Sequence, residues 1–286
     1  MSVSSRCSEI QVEPLPGTAK QEKVHVVLEH DRGWSRDVLD GDTFGPELST
    51  ALKSHLKGKA GLQLIRRPGQ KHREPEHLTL FLVFTEEALV EKLQVTGAEA
   101  ILDLDLSGPG LNAGEVVSHP LVLVCTHGKR DLCCAVQGRP LAAELAQRFP
   151  GDVVWETSHT KGHRFAPSIL LMPWGYSFGR LSGRAASALV AWAQRGEFFL
   201  FGNRGRGLWR PTGQVAELAV ARKLIDAGEP LHYGDLTVAE EGLVTHHDGR
   251  RWRVEMEKQE VTGVVSSCGD EPKVGSAWVA VSISDA

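Results

Sequence analysis

The spacing of apolar residues changes several times between strand-like and helix-like over the first third of the chain. After a polar leader of about two dozen residues, KVHVVLEH is a short β-branched run that is typical of a strand. FGPELSTALKSHLKG has helical spacing instead, with Pro46 in its first turn and Gly58 at its end. The elements predicted here are strand KVHVVLEH, helix FGPELSTALKSHLKG, strands GLQLIRR and HLTLFLVF, helix TEEALVEKLQV with Thr85 as N-cap, and a strand in AEAILDLDL.

A similar order begins again after Pro120. The predicted elements are strand LVLVC, helix GRPLAAELAQRF, strand DVVWET, strand PSILLMPW with a hairpin partner around YSFGRL, and helix GRAASALVAWAQRG. The strand starts pair as Val24 with Leu121, Leu62 with Val153, and Leu78 with Ser168, at offsets of 97, 91 and 90 residues. This regularity indicates an internal duplication with a period of roughly 93 residues.

The remainder of the chain has a different pattern. GNRGRGLWRPTG is predicted to be a loop, QVAELAVARKLIDAG an amphipathic helix, and residues 236–286 short strands with turns at Asp248–Gly249 and Cys268–Gly269. Strand, helix, strand, hairpin and helix is the thioredoxin-like order, so we predict an α/β protein of two thioredoxin-like domains with a small C-terminal β appendage. The predicted boundaries are a leader at 1–23, a first domain without cofactor at 24–116, a second, working domain at 117–235, and the appendage at 236–286.

Composition limits the classes of function. The 286 residues are 41% hydrophobic and 24% charged, which is ordinary for a globular protein of two domains. A net charge of -4 offers no general attraction to nucleic acid or to anionic membranes, so neither is expected as a partner. No run resembles a signal peptide or reaches the roughly 20 apolar residues of a membrane span, so we expect a cytoplasmic protein.

Cysteine and histidine provide the first chemical signal. Three of the five cysteines fall within CTHGKRDLCC, where Cys125 and Cys134 are nine positions apart. About 25 residues later, TSHTKGHRFAP places His159 and His163 four positions apart, so both imidazoles can face the same way. Two cysteines and two histidines in two pairs predict a metal site, because clustered cysteines in a reducing compartment more often bind metal than form disulfides.

The spacing alone leaves the metal open. Zinc accepts a Cys₂His₂ set, but structural zinc sites usually take their cysteines from a knuckle about two to four residues apart. An iron–sulfur cluster spreads its ligands more widely, and two cysteines with two histidines is the Rieske ligand set. The Rieske sequence has a histidine two residues after each cysteine, and here only Cys125 is followed in this way, by His127. The spacing therefore favours iron–sulfur without the Rieske fold, and leaves open whether Cys133 or Cys134 is the second thiolate.

The chain resembles the sucrase/ferredoxin-like family over most of its length from about residue 24. The stretches that carry the resemblance are CTHGKRDLCCA, SHTKGHRFAP, and GNRGRG followed by Gln214 and Glu217. The resemblance implies thioredoxin-like ferredoxins whose second domain holds a [2Fe–2S] cluster. The ligands it implies are Cys125, Cys134, His159 and His163. Within the histidine pair, this chain has Lys161 and Gly162 where the family often has two glycines.

This ligand set implies an electron-transfer protein rather than a self-contained enzyme. Replacing two thiolates by neutral imidazoles moves the formal charge of an oxidised cluster from about -2 to about zero, which raises its potential, and an imidazole N–H makes that potential pH-dependent. Redox partner proteins are expected, and the alternatives are a zinc-stabilised interaction module or a reductase of a small oxidant such as a ferric chelate. Residues expected to tune the site or dock a partner are Lys129, Arg130, Cys133, Lys161 and Arg164.

Other residues receive plainer interpretations. Cys133 is expected to be a packed or spare thiol, and Cys7 a residue of the polar leader without function. Cys268 is expected to be a turn cysteine, with an approach to the cluster as the alternative. Arg204, Arg206 and Arg210 are expected either to dock an acidic partner or to clamp the C-terminal helix.

Overall fold

The computed structural model describes residues 6–69, 76–239 and 242–286. Within these ranges the chain forms a mixed α/β structure with one ten-stranded mixed sheet and a second sheet of four strands. Residues 1–5 of the predicted leader lie outside the described residues. No helix in the described part of the chain is long and apolar enough to cross a membrane.

The first half supplies five strands to the large sheet. They are β1 (Val24–Glu29), β2 (Gly61–Arg66), β3 (Leu78–Phe84), β4 (Leu89–Val95) and β5 (Glu115–Val116), with helix α1 (Pro46–Leu56) between β1 and β2. The predicted helix TEEALVEKLQV is wrong, because Leu89–Val95 pairs residue by residue with β3 as an antiparallel strand. The predicted strand in AEAILDLDL is also wrong, because Ala98–Asp103 forms a 3-10 helix whose Ala98 and Ile101 are buried.

The second half supplies the other five strands. They are β6 (Leu121–Cys125), β7 (Val154–Thr157), β8 (Ser168–Met172), β9 (Tyr176–Gly179) and β10 (Asn203–Arg206), with helices α2 (Leu132–Arg148), α3 (Gly183–Ala193) and α4 (Pro211–Asp226). Helix α2 begins six residues before the predicted start at Gly138, because the Asp131 carboxylate caps it by accepting the Cys133 N–H at 2.9 Å. The GNRGRG segment, predicted to be a loop, contains β10, which pairs with β9.

The strand order shows how the halves combine. It is β10-β9-β8-β6-β7-β2-β1-β3-β4-β5, so the first four strands of each half follow the same internal order. In each half the first two strands are parallel and the third runs antiparallel to the first. The halves meet where β2 pairs antiparallel with β7, through Ile65 with Thr157 and Arg66 with Glu156. One face of the sheet has a shared apolar core, which includes Val27, Phe81, Leu123 and Trp155.

The C-terminal sheet contains β11 (Leu236–Val238), β12 (Leu243–His246), β13 (Arg251–Val264) and β14 (Lys273–Asp285), all antiparallel neighbours. Strands β13 and β14 are 14 and 13 residues long, so the prediction of short strands throughout is wrong. The predicted turns at Gly249 and Gly269 are confirmed, with φ of 96° and 91°. Val244, Trp252 and Val254 join the same apolar core as α4, which fixes this sheet against the second half.

Candidate metal centre

The ends of two parallel strands locate the candidate site. Cys125 is the last residue of β6 and is paired in register with Thr157, the last residue of β7. The chain leaves β6 through the loop that leads to α2 and leaves β7 through the loop that carries the two histidines. Because the carboxyl ends of adjacent parallel strands lie at one edge of a sheet, the two loops meet there.

The structure brings three of the four predicted ligands into one group. Sulfur atoms of Cys125 and Cys134 and a ring nitrogen of His159 all lie within 4.8 Å of one another. Cys134 belongs to the first turn of α2, and both cysteines are completely buried. Two thiols and an imidazole at this separation are soft or borderline ligands suited to a metal ion or a cluster.

His163 lies beside this group rather than inside it. Its ring centroid is 4.9 Å from that of His159. Its Nε2 is 2.6 Å from the carbonyl oxygen of Ser266 and 3.0 Å from the hydroxyl of Ser267. Because a carbonyl oxygen can only accept, Nε2 carries the proton and Nδ1 keeps a free lone pair. Backbone carbonyls fix the tautomer of metal-binding histidines in the same way.

Unpaired nitrogen atoms provide the test of fit for a metal group. Both ring nitrogens of His159 and Nδ1 of His163 are buried and have no hydrogen-bond partner among the described residues. A buried polar atom without a partner costs about 1–3 kcal/mol. Three such atoms on adjacent imidazoles, beside two buried thiols, fit a site that is completed by a metal group.

The acid–base state of the site suits the same role. A hydrogen bond from the Cys134 thiol holds the pKa of Cys125 well below its usual value, with a further contribution from His159. The same hydrogen bond to Cys125, together with burial, raises the pKa of the Cys134 thiol. Burial lowers the pKa of His163, so its imidazole is neutral at neutral pH, which is the form that binds metals. The site therefore favours the thiolate form of Cys125 and has a neutral histidine beside it.

His127 supports the site and is not free to be a ligand. Its Nε2 lies 2.8 Å from the carbonyl oxygen of Ser35, and its Nδ1 accepts the backbone N–H of His159 at 3.2 Å. Both ring nitrogens are therefore used. This buried imidazole ties the histidine loop to the segment that follows β1 in the first half.

Family comparison agrees with this location. A family model described as Sucrase/ferredoxin-like matches residues 15–203, which include Cys125, Cys134, His159 and His163. The chain belongs to the sucrase/ferredoxin-like family. No curated protein and no solved structure matches it. Family membership indicates a ferredoxin-like function, and the cysteine and histidine groups of this sucrase/ferredoxin-like chain can bind metal.

The Gly/Arg segment of this sucrase/ferredoxin-like protein lies beneath the histidine loop. Arg204 is completely buried, and its guanidinium donates to the Thr18 hydroxyl at 3.0 Å and to the Lys161 carbonyl at 3.3 Å. Burial lowers the pKa of Arg204 to about 9, which still leaves it charged at neutral pH. A Cβ at Gly162 would lie 2.4 Å from Arg204 Nη1 and 2.5 Å from Ser168 Oγ, so glycine lets the loop rest on the arginine.

Burial excludes partner docking for two of the three arginines. Arg204 is fully buried and Arg206 is 5% exposed, so neither can dock a partner, whereas Arg210 is exposed. Arg206 donates to the carbonyl oxygens of Trp174 at 2.9 Å and Thr85 at 2.7 Å. These two arginines hold loops together instead, and nothing in their positions involves a partner.

The predicted tuning residues differ in position. Lys129 and Lys161 are exposed, whereas Arg130 is half-buried. Arg164 is neutralised by a two-pronged pair with Glu13, at 2.6 and 3.0 Å. Arg130 and Lys161 line a cavity of about 150 Å³ beside His159, together with Lys20, Arg36 and one acidic residue, Asp37. The mouth of the site is therefore basic.

Cys133 belongs to a different group from its neighbour Cys134. The second group that can hold a metal contains Cys7, Asp131, Cys133 and Cys268. The expectations that Cys7 has no role and that Cys268 is only a turn cysteine missed this group. Their separation in sequence, 261 positions, gave no spacing signal.

Proposed function

We propose that this protein transfers electrons through a [2Fe–2S] cluster held by Cys125, Cys134, His159 and His163. The observation that carries the proposal is the set of three unpaired, buried imidazole nitrogens next to two buried thiols. Such a cluster supplies one-electron redox chemistry when it is bound. Family membership and the nine-position spacing of the cysteines support this choice over a zinc-stabilised module.

The residues around the ligands would set a raised reduction potential. Two neutral imidazoles in place of two thiolates remove about two negative charges from the ligand set, which favours the reduced state. Lys129, Arg130 and Lys161 add positive charge on the same side of the protein. Arg164 contributes less than the sequence suggested, because Glu13 neutralises it.

The imidazole protons would make the potential depend on pH. A histidine that coordinates through one nitrogen keeps a proton on the other, as Nε2 of His163 does toward Ser266. The oxidised protein loses that proton more readily than the reduced protein. Above the pKa of this histidine in the oxidised protein, reduction therefore takes up a proton, and the potential falls as pH rises. The slope approaches about 59 mV per pH unit for one proton. Protein-film voltammetry from acidic to alkaline pH checks this, and a flat profile would exclude proton coupling.

The strand order supports the thioredoxin-like interpretation of both halves. In each half the fourth, third, first and second strands are neighbours in that order, with a helix between the first two strands. This is the arrangement we propose for a cofactor-free domain at 24–116 and a cluster-binding domain at 117–235, followed by the β appendage at 236–286. The shared core between the halves means that the domains would not be independent bodies.

The basic cavity supports a docking site for an acidic redox protein. Arg36, Arg130 and Lys161 surround it next to His159, so a partner seated there would approach the histidine side of the site. Opposite charges steer such encounters and strengthen them at low ionic strength. The proposed partners are therefore proteins rather than nucleic acid or membranes. The proposed location is the cytoplasm, because none of the five cysteines forms a disulfide, as is usual in a reducing compartment.

A second candidate function follows from the same cavity. A small anionic oxidant, such as a ferric chelate, could enter beside His159 and take an electron directly, which would make the protein a reductase. The basic lining favours an anion. Steady-state kinetics separate the two functions, because direct reduction of a chelate would saturate with its concentration without any acceptor protein.

Two adjacent cysteines provide the test of the proposed site. Cys134→Ser removes a ligand and should abolish iron, acid-labile sulfide and visible absorption after anaerobic purification. Cys133→Ser is the matched control, because Cys133 lies beside Cys134 in α2 but belongs to the group of Cys7, Asp131 and Cys268. This variant should keep iron, acid-labile sulfide and visible absorption. Full iron and sulfide in Cys134→Ser, or a colourless wild type that contains zinc instead of iron in this site, would overturn the proposal.

A further inference from the structure

Three thiols and one carboxylate meet at the N-terminus of α2, next to the site that contains Cys134. The sulfur atoms of Cys133 and Cys268 are 3.2 Å apart, and Cys7 Sγ lies 3.6 Å from each of them. The Asp131 carboxylate is 3.7 Å from the Cys7 sulfur and 3.3 Å from the Cys268 sulfur. None of these thiols takes part in the site described above.

These residues come from three distant parts of the chain. Cys7 belongs to a 3-10 turn near the N-terminus, Cys133 to the first turn of α2, and Cys268 to the loop between β13 and β14. Cys7 and Cys133 are completely buried, together with Ala166 and Val265. The N-terminal turn and the β13–β14 loop are short irregular segments, so a cross-link here would fix both against α2.

The spacing of the sulfur atoms matches a tetrahedral site. Zinc–sulfur bonds of about 2.3 Å place the thiolates of a tetrahedral site roughly 3.8 Å apart. The three sulfur–sulfur distances of 3.2, 3.6 and 3.6 Å need to open by only a few tenths of an ångström. A disulfide between Cys133 and Cys268 would instead require their sulfur atoms to close to about 2.05 Å.

The charge of Asp131 is a second, independent observation. The side chain is 2% exposed, and the imidazole of His163, 4.0 Å away, is neutral at neutral pH. The carboxylate accepts backbone N–H groups from Cys133 at 2.9 Å and Cys268 at 3.0 Å, which leaves lone pairs on both oxygens. A carboxylate oxygen is an accepted zinc ligand, so Asp131 can supply the fourth ligand beside the three thiols.

We propose that Cys7, Cys133, Cys268 and Asp131 form a second metal site that binds a structural Zn²⁺. Binding exchanges three thiol protons for one Zn²⁺, so three protons leave the protein for each ion bound. Three thiolates favour a soft or borderline metal, and four protein ligands close the coordination sphere as in structural zinc sites. The positive end of α2 lies next to Cys133 and favours the negative charge of the thiolate ligands.

The ion would also hold the loop that contacts the first site. The β13–β14 loop supplies both Cys268 and Ser266. The carbonyl oxygen of Ser266 accepts a hydrogen bond from Nε2 of His163. Cys7 and Cys268 lie outside residues 15–203, the part that matches the family, so the site is not implied by that match. The inference does not depend on the proposed [2Fe–2S] cluster.

Reciprocal variants test the second site. In protein purified anaerobically from zinc-supplied cells, we expect close to one zinc per chain in the wild type. Cys268→Ser should lower the zinc affinity by at least 10-fold while the iron content stays at the wild-type level. Cys134→Ser should do the opposite, losing iron and keeping zinc. Far-ultraviolet circular dichroism of each variant verifies its fold.

Cobalt gives a spectroscopic readout of the same site. Titration of Co²⁺ into metal-free Cys134→Ser protein should produce a thiolate-to-cobalt charge-transfer band that saturates at one equivalent. The Cys134→Ser/Cys268→Ser double variant serves as the blank and should lack the band. If Cys268→Ser fails to fold, the wild type is used instead: its zinc is removed with a chelator under reducing conditions and then returned. The melting temperature should fall when Zn²⁺ is removed and recover when it is added back.

Several results would overturn the second site. A wild type without zinc that also gives no cobalt band in the Cys134→Ser background would do so. Equal zinc in Cys268→Ser and wild type, or zinc lost only in Cys134→Ser, would place the metal elsewhere. A Cys133–Cys268 disulfide found by mass spectrometry in anaerobically purified protein would mean that these thiols form a redox pair and not a metal site.

Discussion

At the scale of single residues, two groups that can hold a metal lie around the start of α2, and Cys134 belongs to one while its neighbour Cys133 belongs to the other. Cys125 and Cys134 form one pair and His159 and His163 another, so their separations of nine and four positions were visible in the sequence. The second group joins Cys7 to Cys268 across 261 positions, and only the fold reveals it. The family resemblance also chose Cys134 over Cys133, and the structure separates these neighbours into different groups.

His163→Cys tests the part of the ligand set that the geometry leaves most open. We expect the variant to keep a cluster and to have a potential lower by on the order of 100 mV, because a thiolate adds negative charge where a neutral imidazole was. Potentiometric titration followed by visible absorption measures the change. His77→Cys, at an exposed position, is the matched control and should leave the potential as it is. An unchanged potential in His163→Cys would show that His163 is not a ligand.

At the scale of elements, the sequence predicted the apolar strands and missed β4 and β10, which are rich in polar residues. LVLVC and DVVWET are buried on both faces, so continuous apolar runs identified them. TEEALVEKLQV contains enough Leu, Glu and Lys to favour a helix, but pairing with β3 along its whole length overrides that local preference. The buried Arg204 and Arg206 could not be foreseen, because arginine is rarely buried and the sequence offered no partner for either.

Glu217 on α4 predicts a specific pH dependence of stability. It is completely buried and accepts a hydrogen bond from the Tyr176 hydroxyl at 2.7 Å. Burial raises its pKa to about 7 from a usual value near 4.5, although Arg206 opposes the shift. Since the folded pKa is above the unfolded pKa, the associated stability is complete below about pH 4.5 and is lost as pH rises through 7. The loss amounts to about 3 kcal/mol.

Glu217→Gln removes this titration, because glutamine stays neutral while retaining a carbonyl oxygen for Tyr176. Relative to the variant, the wild type should therefore be less stable at pH 8 than at pH 5. Urea unfolding of both proteins at the two pH values measures the difference. The same difference in free energy at pH 5 and pH 8 would show that Glu217 does not titrate in this range.

At the scale of the whole molecule, the duplication was visible as a period, but the joining of the halves was not. Sequence predicted similar strand sets about 93 residues apart, and the observed order places both sets in one sheet. The pairing of β2 with β7 and the shared core of Val27, Phe81, Leu123 and Trp155 connect them. Neither could be deduced, because a β-branched run does not specify which strand will be its neighbour across the junction.

The shared core predicts that the two halves unfold together. Hydrogen exchange with mass spectrometry, followed through a urea titration, should show peptides covering β1 and β6 losing protection at the same midpoint. Apolar residues from both halves are buried in one core. Unfolding of one half alone would expose the apolar residues of the other half to water, which is unfavourable. Two midpoints separated by more than the experimental error would show that the halves are independent domains.

The proposed function requires that two cysteines and two histidines hold a [2Fe–2S] cluster. Pulsed electron paramagnetic resonance of the reduced protein, purified anaerobically with ¹⁵N-labelled histidine, tests it most directly. We predict an iron–sulfur signal with couplings to two histidine nitrogens, one of which disappears in His159→Cys and the other in His163→Cys. A protein without the signal, or a signal without coupling to histidine nitrogen, would contradict the account.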